Sequence, residues 1–251
     1  MSGTGRYLFA VARDLRVAEL TGTQGFHGTP IDVVERDGLS AVVCDVDLGE
    51  FGEEPLTRNL EDLTWVERVA RTHNDVVWRV AAAATCAPLR LVTVCADDDS
   101  VRAKVDSLRT ELENVLDRIE GRQEWSVKVL VPQGAAVEAE PAATPTSGTD
   151  YLRRKREAAE RRRDLSDEAV RAAREVHDVG HAHAVASRQL APQDPRLTGR
   201  TETMILNAAY LVEAGEHEVF TTALRAAAEQ HPSVTVEVEG PWPAYSFAVL
   251  G

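Results

Sequence analysis

The chain has 251 residues, of which 43% are hydrophobic and 27% charged, and its formal net charge is −13 at pH 7. This length allows one large domain or two small ones, and the acidic balance argues against general nucleic-acid binding, which requires a dominant positive surface. No apolar run approaches the roughly 20 residues that span a bilayer, and the residues before Tyr7 lack the apolar core of a signal peptide. We therefore expect a cytoplasmic protein.

The first 131 residues alternate between strand and helix signals. Strands are predicted over residues 6–13, 31–35, 39–46, 89–96 and 124–131. The segment Arg36-Asp37-Gly38 is typical of a tight hairpin. Helices are predicted over residues 57–84 and 100–120, where apolar residues recur every three or four positions. The resulting β-ββ-α-β-α-β order predicts an α+β domain over residues 1–131, a ferredoxin-like α/β sandwich with an extra hairpin strand.

A change of composition separates the two halves of the chain. Residues 132–149 are rich in Ala, Pro, Gly, Ser and Thr, so they cannot bury much apolar surface and predict a linker or a long surface loop. A long polar helix is predicted over residues 150–188. The remaining signals are strands over residues 201–211, 233–239 and 246–250 and a helix over residues 215–230. Residues 150–251 are therefore predicted to form a smaller C-terminal α+β domain with a long helix.

The predicted long helix carries a basic segment in an otherwise acidic chain. Residues 150–200 hold 12 basic and 9 acidic side chains, a local net charge of +3. The candidate partner-binding residues of this segment are Arg153, Arg154, Arg156, Arg161, Arg162 and Arg163. Because Glu157 and Glu160 lie between the two clusters, the segment fits either an exposed helix with internal ion pairs or a contact for an acidic protein surface.

Other polar clusters give weak signals for chemistry. His177 and His181 share a helix face at the spacing of a metal chelate, but His183 would point elsewhere, so a solvated helix face is the preferred interpretation. His73 is near Asp75 but has no nucleophile motif beside it. The run Asp97-Asp98-Asp99 precedes a helix, which helix capping explains better than calcium binding. We predict no catalytic, cofactor or metal site.

The C-terminal motif is the most informative stretch of the chain. Gly240-Pro241-Trp242-Pro243 restricts the backbone and predicts a rigid extended segment or a turn. Tyr245 and Phe247 then fall on one face of a predicted short strand. None of these side chains is a nucleophile or a metal ligand, so the motif suits docking and core closure. Trp242 and Tyr245 are therefore candidate partner-binding residues.

This ending resembles the C-terminal motif of the gas vesicle accessory family GvpL/GvpF. Further motifs follow the order of that family: residues 7–11 (YLFAV), 73–77 (HNDVV), 87–94 (APLRLVTV), 124–129 (EWSVKV) and 148–152 (GTDYL). The resemblance covers about the whole chain. One departure is that the family usually has an aromatic residue and a glycine after Pro-Leu-Arg, where this chain has Leu91 and Val92.

The resemblance implies a non-enzymatic accessory protein of gas vesicle assembly, associated with gas vesicles and without a cofactor. Its implied partners are the hydrophobic shell subunit GvpA and other gas vesicle accessory proteins. A soluble acidic partner with an apolar groove would keep such a subunit from aggregating. The alternative is a small-molecule-binding or enzymatic α+β protein, which would require a polar pocket that the sequence does not indicate.

Overall fold

The computed structural model describes residues 3–132, 166–193 and 199–248. Its contacts divide the chain into two compact units, one comprising Met1–Arg122 and Trp242–Gly251 and the other Gln123–Pro241. Each unit has a β-sheet, helices and a hydrophobic core of its own. The mixed α+β class predicted from the sequence is therefore confirmed.

The sheet of the first unit is built around its opening strand. Its strands are β1 (Thr4–Arg13), β2 (Ile31–Arg36), β3 (Leu39–Asp47), β4 (Cys86–Pro88) and β5 (Val94–Cys95). The sheet order is β2-β3-β1-β4, and β5 also pairs with β1. Strand β1 is antiparallel to β3, β4 and β5. The predicted hairpin joins β2 to β3, with Asp37 at φ 48° and Gly38 at φ 82°, the positive values that a two-residue hairpin turn requires.

The helices of the first unit are α1 (Leu48–Phe51), α2 (Glu53–Asn59), α3 (Leu63–Ala83), α4 (Asp98–Ser107) and α5 (Arg109–Ile119). The side chain of Asp62 caps α3 by accepting from the amides of the first turn. The side chain of Asp97 caps α4 by accepting from the amide of Ser100, and this cap was predicted from the sequence. Helix α3 buries the apolar stripe Val69, Val76 and Val80. These valines pack on a cluster of aromatic rings from β1 and the segments after it.

The second unit contains β6 (Arg122–Val131), α6 (166–182), β7 (Ala186–Gln189), β8 (Thr203–Glu213), α7 (His217–Glu229) and β9 (Thr235–Trp242). Its four-stranded sheet has the order β7-β8-β6-β9. The core combines Val127 and Val129 of β6 with Tyr210 of β8 and Phe220 and Leu224 of α7. Alternating apolar residues on these strands and a helical repeat on α7 account for this arrangement.

Strand β6 lies in a different sheet from the one that the sequence suggested. The predicted ferredoxin-like order placed residues 124–131 in the first domain, whereas β6 pairs with β8 and β9 of the second unit. The alternation of Trp125, Val127 and Val129 shows that one face is buried but carries no information about which strands are its neighbours. The predicted linker over residues 132–149 lies, apart from its first residue, outside the described residues.

Two predicted helices are interrupted in the structure. The helix predicted over residues 57–84 is divided between α2 and α3, and the one over residues 100–120 is divided at Leu108, whose backbone is non-helical at φ −104° and ψ 5°. The apolar repeat continues through Leu108, which is why the sequence indicated one helix there. None of the helices in the described ranges is both long enough and apolar enough to cross a membrane.

One predicted strand is correct only in part, and another is absent from its described part. Residues 89–96 contain a turn between β4 and β5, since Val92 has φ 59° and the hydroxyl of Thr93 donates to the carbonyl of Arg90. Residues 244–247 also form a turn, and the strand predicted over residues 246–250 is not present in its described part. An apolar run reports burial, not an extended backbone, so the sequence did not reveal either turn.

Candidate functional site

The C-terminal segment, residues 242–248, packs on α3 within the first unit. The ring of Trp242 contacts the ring of Trp78 edge-on, with centroids 5.6 Å apart. The hydroxyl of Tyr245 donates a 2.7 Å hydrogen bond to the side-chain oxygen of Asn74. Asn74 and Trp78 are four residues apart and share one face of α3. We call the region formed by Trp78, Trp242 and the cavity beside Tyr245 the C-terminal surface.

The turn at residues 244–247 fixes the position of this segment. The amide of Tyr245 donates to the carbonyl of Pro243, and the amide of Ala248 donates to the carbonyl of Ala244, at 2.7 and 2.9 Å. Ala244, Phe247 and Ala248 are buried, so they anchor the segment while Tyr245 lies half-buried between them. The prediction that Tyr245 and Phe247 continue a strand is therefore wrong, but the expected role of this motif in core closure is met by Phe247.

The two tryptophans of the C-terminal surface are partly exposed. Trp78 is 39% exposed and Trp242 is 41% exposed, whereas Trp65 and Trp125 are at most 8% exposed. The sequence singled out Trp242 as a candidate partner-binding residue but did not single out Trp78. The signal for Trp78 was available, because it lies off the stripe of α3 that Val69, Val76 and Val80 define. Exposed tryptophans are the side chains most enriched at binding hot spots.

An open cavity of about 290 Å³ lies beside this aromatic pair. It is bounded by α3, by the segment that follows β4 and by the C-terminal segment. The residues that line it include His73, Asn74, Leu89, Leu91, Tyr245 and Ala248. Its wall is mostly apolar, and the polar atoms of Asn74 and Tyr245 bond to one another. The cavity therefore suits an apolar side chain.

His73 forms the inner wall of the cavity and is only 3% exposed. Its Nδ1 lies 3.0 Å from the hydroxyl of Tyr7, which accepts a 2.9 Å hydrogen bond from the amide of Val92. Burial lowers the pKa of His73 from its ordinary value of 6.5 to about 4, against the opposing effect of a hydrogen bond to the backbone of Leu89. His73 is therefore neutral at pH 7, and its bonds hold the wall of the cavity in place.

Val92 has a backbone conformation that suits glycine. Its φ of 59° lies in the left-handed region, which a β-branched side chain adopts only at a cost of roughly 1–2 kcal/mol. This is the position at which the GvpL/GvpF resemblance leads one to expect a glycine. The turn keeps its geometry with valine because the amide of Val92 is fixed by Tyr7 and its side chain packs against the core of the first unit.

The other residues singled out from the sequence do not lie at this surface or are not described. The six arginines of the basic segment, Arg153, Arg154, Arg156, Arg161, Arg162 and Arg163, lie outside the described residues. His177 bonds to the hydroxyl of Tyr210 at 2.7 Å, and His181 bonds to that of Ser187 at 2.8 Å. Among the described residues, no group of three His, Cys, Asp or Glu side chains is arranged to hold a metal ion.

These features define an α+β protein of two compact units, the first of which presents an exposed aromatic pair beside an apolar cavity. The family model described as gas vesicle synthesis protein GvpL/GvpF matches residues 5–249. The chain therefore belongs to the GvpL/GvpF family, and the resemblance noted from its motifs is confirmed.

Individual relatives agree with this assignment. The chain is 38% identical over 247 residues to gas vesicle protein L of a Streptomyces species, covering 97% of this chain and 92% of that protein. It is 29% identical to gas vesicle protein L2 of Halobacterium salinarum, covering 97% and 91%. The crystal structure of GvpF from Anabaena has the same fold, with a TM-score of 0.70 at 16% identity over 99% of this chain and 98% of that one.

Replacing Val92 tests the strain at this turn. Val92→Gly and Val92→Ala both remove the packed side chain, but only Ala keeps a Cβ at φ 59°. We expect Val92→Gly to be more stable than Val92→Ala by about 1 kcal/mol. Urea unfolding of the two variants measures this difference directly. An alanine variant as stable as the glycine variant would show that the backbone there is not left-handed.

The buried His73 predicts a specific dependence of stability on pH. The unfolded chain takes up a proton on this ring near pH 6.5, whereas the folded chain takes it up only near pH 4. The contribution of His73 to the free energy of unfolding is therefore fully present above pH 6.5, and it falls by about 3 kcal/mol as the pH is lowered to 4. Urea unfolding at several pH values, compared with His73→Gln, isolates this contribution from that of the carboxylates. Parallel pH profiles for the two proteins would contradict the assignment.

Proposed function

We propose that this protein is a non-enzymatic accessory protein of gas vesicle assembly, which binds the hydrophobic shell subunit GvpA through the C-terminal surface and acts in the cytoplasm. The observation that carries the proposal is the half-exposed pair of Trp78 and Trp242 in a chain of the GvpL/GvpF family. Other gas vesicle accessory proteins are further proposed partners.

The chemistry of the C-terminal surface supports binding over catalysis. His73, which lines the cavity, is only 3% exposed, and its ring is already bonded to Tyr7 and to the backbone of Leu89. An exposed tryptophan pair offers a large rigid apolar contact at small entropic cost. The net charge of −13 gives the complex a repulsive surface that opposes aggregation of an apolar cargo.

The basic segment is a second proposed contact. Its arginines form a local cationic stretch in an acidic chain, which suits an acidic surface of a gas vesicle protein. The ferredoxin-like class of the first unit and the division of the chain at a linker over residues 132–149 likewise remain predictions, although β6 lies outside the sheet of that unit. Limited proteolysis across residues 130–150 tests that division.

Truncation of the exposed tryptophans separates a docking role from a structural one. Trp78→Ala and Trp242→Ala are expected to lower the unfolding free energy by only about 1 kcal/mol each, because both rings are half-exposed. Capture of the shell subunit by the full chain is expected to fall about tenfold or more. Leu63→Ala removes a more exposed apolar side chain elsewhere in the same unit and serves as the control. Capture that is equally weakened by Leu63→Ala, or not weakened at all, would refute the assignment.

Charge reversal of the basic segment tests its proposed role. The reversed residues are Arg153, Arg154, Arg156, Arg161, Arg162 and Arg163. Exposed charges contribute little to folding but govern encounter rates, so we expect weaker partner capture at low salt with a small change in stability. The difference is expected to shrink at high salt. Unchanged affinity at low salt would leave an exposed helix with internal ion pairs as the explanation.

A further inference from the structure

A second, smaller cavity lies next to the apolar cavity of the C-terminal surface. Its volume is about 60 Å³, and it shares Pro88, Leu89, Arg90 and Ala248 with the larger one. Lys104 of α4 completes its wall. The shared residues place the two cavities side by side. Arg90 lines both cavities and Lys104 lines the smaller one, so two cationic residues lie where the cavities meet.

Neither cation is neutralised within the described part of the chain. Arg90 and Lys104 are exposed, and neither forms an ion pair with another described residue. Arg6 and Arg36 of the same unit, in contrast, each bond to an aspartate at 2.7 Å. In a chain of net charge −13, carboxylates are abundant, yet none of the described ones pairs with these two cations. Among the described residues the pair therefore has no carboxylate partner, which leaves it able to bind an anionic group.

We infer that the two cavities form one docking site for a short segment of a protein partner, in which an apolar side chain is next to an acidic one. The apolar side chain occupies the larger cavity against Leu89, Leu91 and Tyr245. The carboxylate accepts hydrogen bonds from Arg90 and Lys104 at the smaller one. Such charge-assisted bonds are about twice as strong as neutral ones. This inference rests on the proposed function, because it specifies how the C-terminal surface recognises a gas vesicle partner.

The length of the site favours a peptide segment over a small molecule. Asn74 lines the larger cavity, and Trp78 lies one turn further along the same face of α3. Trp78 and Trp242 therefore extend the apolar surface away from the cavity at the side of α3. A small carboxylate ligand with one apolar group fills only the two cavities, whereas a polypeptide also covers the aromatic pair. Apolar anchors and a charged rim are the usual parts of a protein interface.

A matched set of synthetic peptides tests this inference on the full chain. Three fluorescein-labelled dodecapeptides share a Gly/Ser background and differ in one central pair, which is Phe-Glu, Phe-Gln or Ala-Glu. Fluorescence polarisation is expected to show that the Phe-Glu peptide binds at least about tenfold more tightly than the other two. The double variant Arg90→Glu/Lys104→Glu is expected to lose that preference and to bind a Phe-Lys peptide instead. This exchange of preference cannot arise from misfolding.

Controls separate the site from general charge and from small ligands. The variant Arg58→Glu/Arg174→Glu changes the net charge equally at exposed positions that line neither cavity, and it is expected to keep the Phe-Glu preference. Octanoate combines an apolar chain with a carboxylate but does not reach the aromatic pair, so it is expected to displace the peptide only at a concentration at least about tenfold above that needed with unlabelled peptide. Displacement by octanoate at the concentration needed with unlabelled peptide, equal binding of the Phe-Gln peptide, or no saturable binding of the Phe-Glu peptide would overturn the inference.

Failure of the inference and failure of the proposed function give different results. If wild-type chain captures the shell subunit and Arg90→Glu/Lys104→Glu captures it equally well, the docking site is wrong and the proposed function stands. If the wild-type chain captures no gas vesicle protein but binds the Phe-Glu peptide with the expected preference, the proposed function is wrong and the docking site stands.

Discussion

The hydroxyl of Tyr7 joins three separate parts of the first unit. It accepts from the amide of Val92, bonds to the ring of His73 on α3, and belongs to strand β1 at the centre of the sheet. The ring of Tyr7 lies within 6 Å of those of Phe9, Phe26 and Phe51, measured between centroids. Burial raises the pKa of the Tyr7 hydroxyl. Loss of either hydrogen bond would leave a buried polar atom without a hydrogen-bond partner, which lowers the free energy of unfolding. Two of the three segments that line the apolar cavity, α3 and the segment after β4, are therefore bonded to this one buried group.

A buried polar centre under an exposed apolar surface explains how the chain presents hydrophobic groups without losing its shape. The aromatic cluster and the Tyr7–His73 bond fix α3, and α3 in turn fixes the position of Trp78 and Asn74. The C-terminal segment is held by the bond from Tyr245 to Asn74 and by the burial of Phe247. The exposed rings are therefore attached to rigid elements, which reduces the entropy that binding would otherwise lose.

The sequence predicted correctly those parts of the fold that depend on local patterns. The alternation in β8 and β9, the Asp37-Gly38 hairpin and the amphipathic repeat of α3 each depend on neighbouring residues. The pairing of β6 with β8 and β9 depends on residues about 80 to 110 positions away, and no local pattern records it. Trp242 was recognised because prolines flank it. The cavity was not recognised, because its lining comes from three distant segments. The positive φ of Val92 was not predicted either, because an apolar β-branched side chain usually indicates a strand.

The division of the chain into units gives the C-terminal segment an unusual place in the order of synthesis. Residues 242–248 complete the first unit, but Gln123–Pro241 of the second unit are made before them. At roughly 5–20 residues per second, a ribosome needs on the order of ten seconds to pass from the first part of that unit to the last. During this interval the nascent first unit has Trp78 without Trp242 and an incomplete cavity wall. A partner that binds the C-terminal surface would therefore bind only chains on which residues 242–248 have already been synthesised.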